Sequence, residues 1–257
     1  MKGVEYMQIV KHTAILFLII ICLVGVSGCM NEEGTKGSES TDEAKKLAEE
    51  LLQEKYGEEF VVYSVGNSWG TLTEDTFTAL SYEKTSPTVR FEAKVAKDGS
   101  YLIDEYISRK ISDEMENKML EVIKDSPFTI ALKVGPDIKI VDSNHSDMSV
   151  DEYMKQVPKL GFRFYVVTDA KNLSAEEASE MLDLLSRSIQ LYPVINGSMD
   201  LYFGSHSTIE QFNDYIKENP NADSGMFEIL EEANHEQYNI TNSTLELTAE
   251  EVSARSS

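Results

Sequence analysis

The chain has 257 residues and a formal net charge of −22, from 45 acidic and 23 basic side chains. This excess of carboxylates argues against a nucleic-acid partner, because phosphate binding needs clustered Lys and Arg. Both cysteines, Cys22 and Cys29, lie near the start of the sequence, so a disulfide framework is excluded as well. Hydrophobic residues make up 41% of the chain, which is enough for the core of one large domain or two small ones.

Residues 1–28 have the pattern of a secretory signal. Basic residues precede an apolar run, Ile15 to Val26, which is shorter than the roughly 20 residues of a membrane-spanning helix. The run closes with Val26-Ser27-Gly28-Cys29, in which an aliphatic residue and two small residues stand before a cysteine. Ser27 and Gly28 are small enough for the backbone to enter a peptidase cleft. The Cys29 thiol is a good nucleophile for forming a thioether bond.

This tetrapeptide resembles the lipobox of bacterial lipoproteins, and we expect a Gram-positive source. The resemblance implies cleavage between Gly28 and Cys29, a lipid on the Cys29 thiol, and a mature chain held on the extracytoplasmic face of the cell membrane. Two acyl chains on one cysteine give a firm anchor. Residues 29–40 are polar and rich in Gly and Ser, as in a flexible tether. The alternative is an uncleaved signal anchor, and translation could begin at Met1 or Met7.

The rest of the sequence predicts an α+β fold in two small modules. The first, residues 41–125, has the pattern of a helix, an antiparallel meander with a hairpin turn at Asp98-Gly99, and a second helix that opens at Ser112. Its predicted strands cover residues 59–66, 76–82, 91–95 and 101–107. This element order loosely resembles the PepSY-like and cystatin-like modules of exported Gram-positive proteins, which implies a small sheet packed against a helix.

The second module, residues 126–248, is expected to form a small sheet covered by helices on one face, because strand and helix patterns alternate. Strands are predicted at 128–134, 138–141, 162–168 and 199–203, and helices at 150–157, 174–192 and 209–217. Residues 249–257 are expected to be a frayed acidic tail. A Ser or Thr three positions ahead of a Glu predicts a capping box at a helix start. The five pairs are Ser40/Glu43, Ser149/Glu152, Ser174/Glu177, Ser207/Glu210 and Thr248/Glu251.

Gly66-Asn67-Ser68-Trp69-Gly70 matches the G-x-S-x-G pattern of a hydrolase nucleophile elbow. That motif needs a strand that turns directly into a helix, whereas loop-like residues follow Ser68 here. A glycine-rich turn between two strands of the meander explains the same residues, and we therefore predict no catalytic residue.

Metal ligands are predicted only weakly. His145, His206 and His235 stand outside any zinc-binding spacing. Residues 142–147 begin like an EF-hand loop, but Asp147 occupies the position that needs glycine, and the final glutamate is missing. Residues 219–223 also begin like an EF-hand loop and also lack its correct ending. Turns rich in Asx residues explain both segments, with irregular Ca²⁺ binding as the alternative.

Aromatic residues are concentrated in the predicted strands of the first module, where they form either core pairs or a ligand surface. They are Tyr63, Trp69, Tyr82, Tyr101 and Tyr106.

Together these features predict a non-enzymatic, lipid-anchored surface protein that binds another protein or a component of the cell envelope, with no cofactor and no metal. The membrane is contacted through the lipid on Cys29. The first alternative is a lipoprotein that binds a small ligand or a divalent cation and serves a transporter. A serine hydrolase that uses Ser68 is the more distant one.

Overall fold

A computed structural model of the chain describes residues 33–66, 75–158, 161–192, 194–221 and 224–256. Over these ranges the fold is α+β, with an antiparallel meander and a second, mixed sheet, both accompanied by helices, as the sequence predicts. Residues Lys45–Ser257 form one compact unit. The helices are α1 (Glu33–Tyr56), α2 (Tyr106–Ile123), α3 (Val150–Gln156), α4 (Ala175–Ile189), α5 (His206–Glu218), α6 (Ser224–Leu230) and α7 (Ala249–Arg255). The strands are β1 (Phe60–Gly66), β2 (Thr76–Glu83), β3 (Ser86–Ala96), β4 (Leu102–Asp104), β5 (Ile130–Pro136), β6 (Phe162–Thr168), β7 (Gly197–Phe203), β8 (Asn234–Thr241) and β9 (Thr244–Leu245).

The first sheet has the order β1-β2-β3-β4 and is antiparallel throughout. Alternate residues of its strands, such as Phe77 and Ala79 in β2 and Phe91 in β3, are buried, which is the period of a sheet with one face on the core. Gly99 takes a positive φ of 72° in the turn between β3 and β4, where the sequence predicts a hairpin.

Helix α2 begins earlier than predicted. The sequence assigns residues 101–107 to a strand, but β4 ends at Asp104 and the helix starts at Tyr106. The reason is local, because the Asp104 carboxylate accepts a hydrogen bond from the Tyr106 backbone N–H at 2.9 Å and so satisfies a free donor at the helix start. The apolar residues Tyr106, Ile107 and Ile111 then lie on the buried side of the helix.

A buried polar network surrounds this helix start. The Asp104 carboxylate also accepts hydrogen bonds from Lys55 Nζ at 2.7 Å and from the Tyr56 hydroxyl at 2.8 Å. Both donors lie at the end of α1. The Tyr106 hydroxyl lies 2.6 Å from a Glu58 oxygen and 2.8 Å from a Glu83 oxygen. Burial, and then the charge of Asp104, raises the pKa of Tyr56, so this hydroxyl remains a donor.

The second sheet has the order β5-β6-β7-β8-β9 and is mixed, since β6 and β7 are parallel and the other pairs are antiparallel. The predicted strand at 138–141 was wrong, because β5 ends at Pro136. Ile138 and Ile140 are exposed. The Ile138 carbonyl accepts a hydrogen bond from the Tyr153 hydroxyl, so a side chain satisfies it without a neighbouring strand.

Helices cover both faces of the second sheet, not one face as predicted. On one face, α5 and α6 pack through Phe212 and Met226 against Tyr165 of β6 and Tyr202 of β7. On the other, the Tyr153 ring of α3 lies 5.2 Å from the Phe162 ring of β6. Helix α2 contacts both α3 and α4, and α4 contacts α7, which places these helices on that second side.

The C-terminal segment differs from the expected frayed tail. Residues 249–255 form α7, whose Val252 is fully buried. The capping boxes predicted at Thr248, Ser149 and Ser174 are present. The other two predicted starts were wrong. Helix α5 is capped instead by Ser205 with Thr208, and α1 begins at Glu33, upstream of residue 40.

Gly197 opens β7 at a place where no side chain fits. A Cβ atom there would lie 1.9 Å from the backbone oxygen of Phe162 on β6, whereas a Cβ at Gly66 would meet nothing within 4 Å. The close approach of β6 and β7 therefore depends on this glycine.

We expect Gly197→Ala to lower the free energy of unfolding by about 3 kcal/mol or more, because backbone, unlike a flexible side chain, must move to admit the methyl group. Urea denaturation of the purified protein measures the change. Gly66→Ala is the matched control and should change the stability by less than about 1 kcal/mol. Equal stability of the two variants would contradict this account of the strand pair.

Candidate functional site

The candidate site lies on the face of the second sheet that α5 and α6 only partly cover. The strand registers place three rows of side chains on this face. The rows are Arg163–Ser198–Asn239, Tyr165–Asp200–Gln237 and Val167–Tyr202–His235. In the third row, Val167 and Tyr202 are buried beneath the two helices, whereas His235 is exposed. We call the polar part, Arg163, Ser198, Asp200, His235, Gln237 and Asn239, the Asp200 face.

Asp200 is the centre of this face and is itself buried, with a side chain only 6% exposed. Its Oδ1 atom lies 2.9 Å from His235 Nε2 and accepts a hydrogen bond from the Gln237 amide at 3.2 Å. Its Oδ2 atom lies 3.3 Å from Arg163 Nε. Arg163 also donates to the Ser198 hydroxyl. A buried carboxylate therefore holds a cation, an imidazole and an amide at fixed positions around it.

Two aromatic contacts complete the surroundings of Asp200. The Tyr202 ring stacks on the His235 ring, with 4.4 Å between centroids and 18° between planes. Burial, and then the charge of Asp200, raises the pKa of Tyr202 to about 12. At the covered end, the exposed Phe227 ring of α6 meets Tyr165 edge-on at 5.7 Å. The Tyr202 ring therefore fixes the position of the His235 ring from one side.

The exposed part of the face consists mainly of hydrogen-bond donors. The side chains of Arg163 and His235 are 40% and 41% exposed, and Gln237 and Asn239 are also exposed. The one negative charge among the six side chains lies beneath them. Such a surface can form ion pairs and hydrogen bonds with a partner without first rearranging.

Of the site residues predicted from the sequence, Gly28, Cys29 and Ser68 lie outside the described residues, as does Trp69. The signal and lipobox assignment therefore stays a prediction. None of the helices in the described ranges is long and apolar enough to cross a membrane.

The three histidines have different surroundings. His235 belongs to the Asp200 face. His206 begins α5, with Nδ1 3.0 Å from an Asp169 oxygen, and its side chain is 66% exposed. His145 lies in an exposed loop whose side chains border a cavity of about 690 Å³. Within the described ranges, no three His, Cys, Asp or Glu side chains form a group that could hold a metal ion.

The predicted acidic loop lies around the same cavity, which Asp142, Asp147 and Glu152 help to line. The capping box of α3 already uses Glu152, whose carboxylate accepts from the Ser149 backbone N–H. The hydrogen bonds from the Ser149 backbone and side chain lower the pKa of Glu152. Glu152 therefore belongs to the capped helix start that the sequence predicts after this loop.

The predicted aromatic residues separate into core and surface. Tyr106 is fully buried, whereas Tyr63 and Tyr101 are exposed. The Tyr63 ring stacks on Tyr82 at 5.9 Å, with the Arg90 guanidinium 5.7 Å from the Tyr63 ring. Tyr63, Tyr82 and Arg90 thus make cross-strand contacts between β1, β2 and β3, and none of the three lines the cavity beside His145.

Sequence reasoning missed Asp200, Arg163 and Gln237. Asp200 is a single carboxylate between Met199 and Leu201, and alternation along the strand indicates only that it faces away from those two residues. Its partners are 35 to 37 positions away in the sequence. The polar sequence of β8 concealed the strand that supplies two of them.

Comparison with known proteins gives a fold neighbour. No family model matches the sequence, and no curated protein matches it. The chain is similar to the crystal structure of a DUF5037 family protein from Ruminococcus gnavus ATCC 29149, with a TM-score of 0.59 and 19% sequence identity. The alignment covers 82% of this chain and 98% of that one. At this identity the likeness shows a shared fold alone.

We expect Asp200→Asn to lower the free energy of unfolding by about 1–3 kcal/mol, because the Arg163 guanidinium then loses its buried counter-charge. Asp183→Asn is a matched control. Its carboxylate also lies 3.3 Å from an Arg Nε, that of Arg187, but both side chains are exposed. That change should cost about 0.5 kcal/mol or less. Urea denaturation compares the two, and equal losses would contradict the role given to Asp200.

Proposed function

We propose that this protein is a lipid-anchored extracytoplasmic protein that binds another protein, non-enzymatically, through the Asp200 face. The Val26-Ser27-Gly28-Cys29 pattern supports the anchor. The observation that carries the binding role is the exposed, preorganised set of donors around the buried Asp200 carboxylate. Binding to a non-protein component of the envelope is the competing outcome of the tests below.

A protein partner is favoured by the kinds of side chain on this face. Arg and aromatic residues are enriched where protein interfaces bind most strongly, and Arg163 and Phe227 are both exposed here. Asp200 fixes the guanidinium, so little side-chain entropy is lost on binding. In a chain with a net charge of −22, an exposed Arg beside donor amides suits a partner that presents a carboxylate.

The proposal is one of binding because the groups on the face are engaged with one another. Asp200 Oδ1 is shared by His235 and Gln237, and Oδ2 faces Arg163. The imidazole is held between Asp200 and the Tyr202 ring. Side chains fixed in this way offer a constant surface to a partner.

We expect Cys29→Ala to release the full-length protein from membranes, because the thiol that would carry the lipid is gone. Cell fractionation and immunoblotting in the native bacterium measure the distribution. Cys22→Ala is the control, since Cys22 lies within the apolar run and should leave membrane attachment unchanged. Membrane retention of the Cys29 variant would contradict the proposed anchor.

We expect a photo-crosslinking residue at the exposed position Gln237 to capture one defined protein in intact cells. The same residue at Glu180, exposed on α4, is the position control and should not capture that protein. Arg163→Glu should weaken binding of the purified, identified partner by about tenfold or more, because one charge-assisted contact becomes repulsive. Lys217→Glu makes the same change of charge at an exposed site on α5 and should leave the affinity unchanged.

Three results would overturn the binding proposal. Equal capture from positions 237 and 180 would show that the face is not selective. Unchanged affinity in the Arg163 variant would remove Arg163 from the interface. Crosslinks from position 237 to wall polysaccharide instead of protein would make the envelope component the partner.

A further inference from the structure

The parallel strands β6 and β7 send the chain to opposite sides of the second sheet. After β6 the chain passes to α4, on the side of α3 and α7, and after β7 it passes to α5, on the side of the Asp200 face. Where the connections from two adjacent parallel strands diverge in this way, a crevice opens beyond their carboxyl ends. Such crevices are the usual ligand sites of α/β sheets.

A cavity of about 450 Å³ lies at this place in the fold. Its volume is within the range of small-molecule sites. Both diverging connections contribute to its lining, since Lys171 and Asn172 follow β6 and Gly204 follows β7. Glu232, Asn234 and Arg255 add further polar side chains to the lining.

The C-terminal helix holds one wall of the cavity in place. The Asn172 backbone N–H donates to the Ser256 carbonyl at 2.6 Å, and the Leu173 N–H donates to the Ser256 hydroxyl at 2.9 Å. The Ser253 hydroxyl returns a hydrogen bond to the Leu173 carbonyl at 2.8 Å. Asn172 adopts a left-handed φ of 51°, a conformation that Asn tolerates better than most residues. The loop that carries Lys171 is therefore fixed to the helix that carries Arg255.

The charges on this wall favour an anion. Among the side chains that line the cavity, Lys171 and Arg255 are two cations against the single carboxylate of Glu232, while Glu236, the ion-pair partner of Arg255, lies outside the lining. A Glu236 carboxylate oxygen lies 2.5 Å from Arg255 Nη2 and orients the guanidinium. Glu236 is on the opposite face of β8 from His235 and Gln237. An Arg with a fixed guanidinium plane suits the two oxygens of a carboxylate or phosphate group.

The helix end beside the cavity is not the source of this preference. Ser205 and Thr208 form a reciprocal capping box at the start of α5, so these side chains already satisfy two of its free backbone donors. Side-chain cations on the other wall provide the attraction.

We propose that this cavity binds a small organic anion, through a carboxylate or phosphate group held between Lys171 and Arg255. The site is separate from the Asp200 face, because its strand residues point to the other side of the sheet. The neutral side chains of Asn172 and Asn234 donate hydrogen bonds to the rest of the ligand. Ligand binding and partner binding can therefore be tested independently.

Isothermal titration calorimetry of the full-length protein in detergent micelles tests the proposal with four probes: glucose 6-phosphate, inorganic phosphate, succinate and glucose. At least one of the three anions should bind saturably in the millimolar range or tighter, and glucose should not bind. Stronger binding of the phosphates identifies a phosphate site, and stronger binding of succinate identifies a carboxylate site. No saturable heat with any anion would overturn the proposal.

Three substitutions connect such binding to the cavity. Lys171→Gln and Arg255→Gln should each weaken the affinity for the bound anion by about tenfold, the value of one charge-assisted contact. Glu232→Gln should strengthen it by about twofold or more, because a repelling charge is removed. Misfolding cannot produce that gain. Lys217→Gln removes an exposed cation of α5 outside the cavity and should leave the affinity unchanged. Unchanged affinity in both the Lys171 and Glu232 variants would place the anion elsewhere.

Discussion

The buried carboxylate of Asp104 is the constraint on which the arrangement of the two sheets depends. Its side chain is fully buried, and it receives Lys55 and Tyr56 from α1 and the backbone N–H of Tyr106 at the start of α2. An unpaired charge at this depth would cost several kcal/mol, so these partners must meet there. Helix α2 then runs to the free edge of β5, where Glu116 accepts hydrogen bonds from Lys133 and the Val134 backbone N–H. Helix α2, held in this way, contacts strands of both sheets and covers the open edge of β5.

The two buried aspartates differ in how fully their oxygens are used. Both oxygens of Asp104 accept hydrogen bonds from donors of the fold. Asp200 Oδ2 has no hydrogen bond in the described structure and faces only the Arg163 ion pair. The first arrangement is complete within the core. At Asp200 the paired cation, Arg163, is half-exposed at the surface, where the proposed partner would bind it. Local electrostatics therefore separate the carboxylate that builds the fold from the one at the centre of the proposed binding face.

Local patterns allowed most of the fold to be predicted, and long-range pairing explains what was missed. Strand β6 follows from a short apolar run that ends before turn residues, and α3 and α4 follow from capping boxes whose donors and acceptors are three residues apart. Strand β8 was missed because only Tyr238 and Ile240 among its residues are buried, and β7 supplies its ladder. The candidate site was largely beyond reach, since His235 could be singled out as a rare residue but its pairing with Asp200 depends on register.

The attachment of α7 to the loop after β6 has a consequence for the order in which the chain can fold. The hydrogen bond between Leu173 and Ser256 spans 83 positions of the sequence. The chain is synthesised, and in the proposed export would emerge, from its N-terminal side, so β6, α4 and β7 all become available before the helix that secures the loop after β6. Until residues near Ser256 have been synthesised, that loop lacks its backbone partners. The loop after β6 can therefore take up its final hydrogen bonds only once the residue that follows α7 is present.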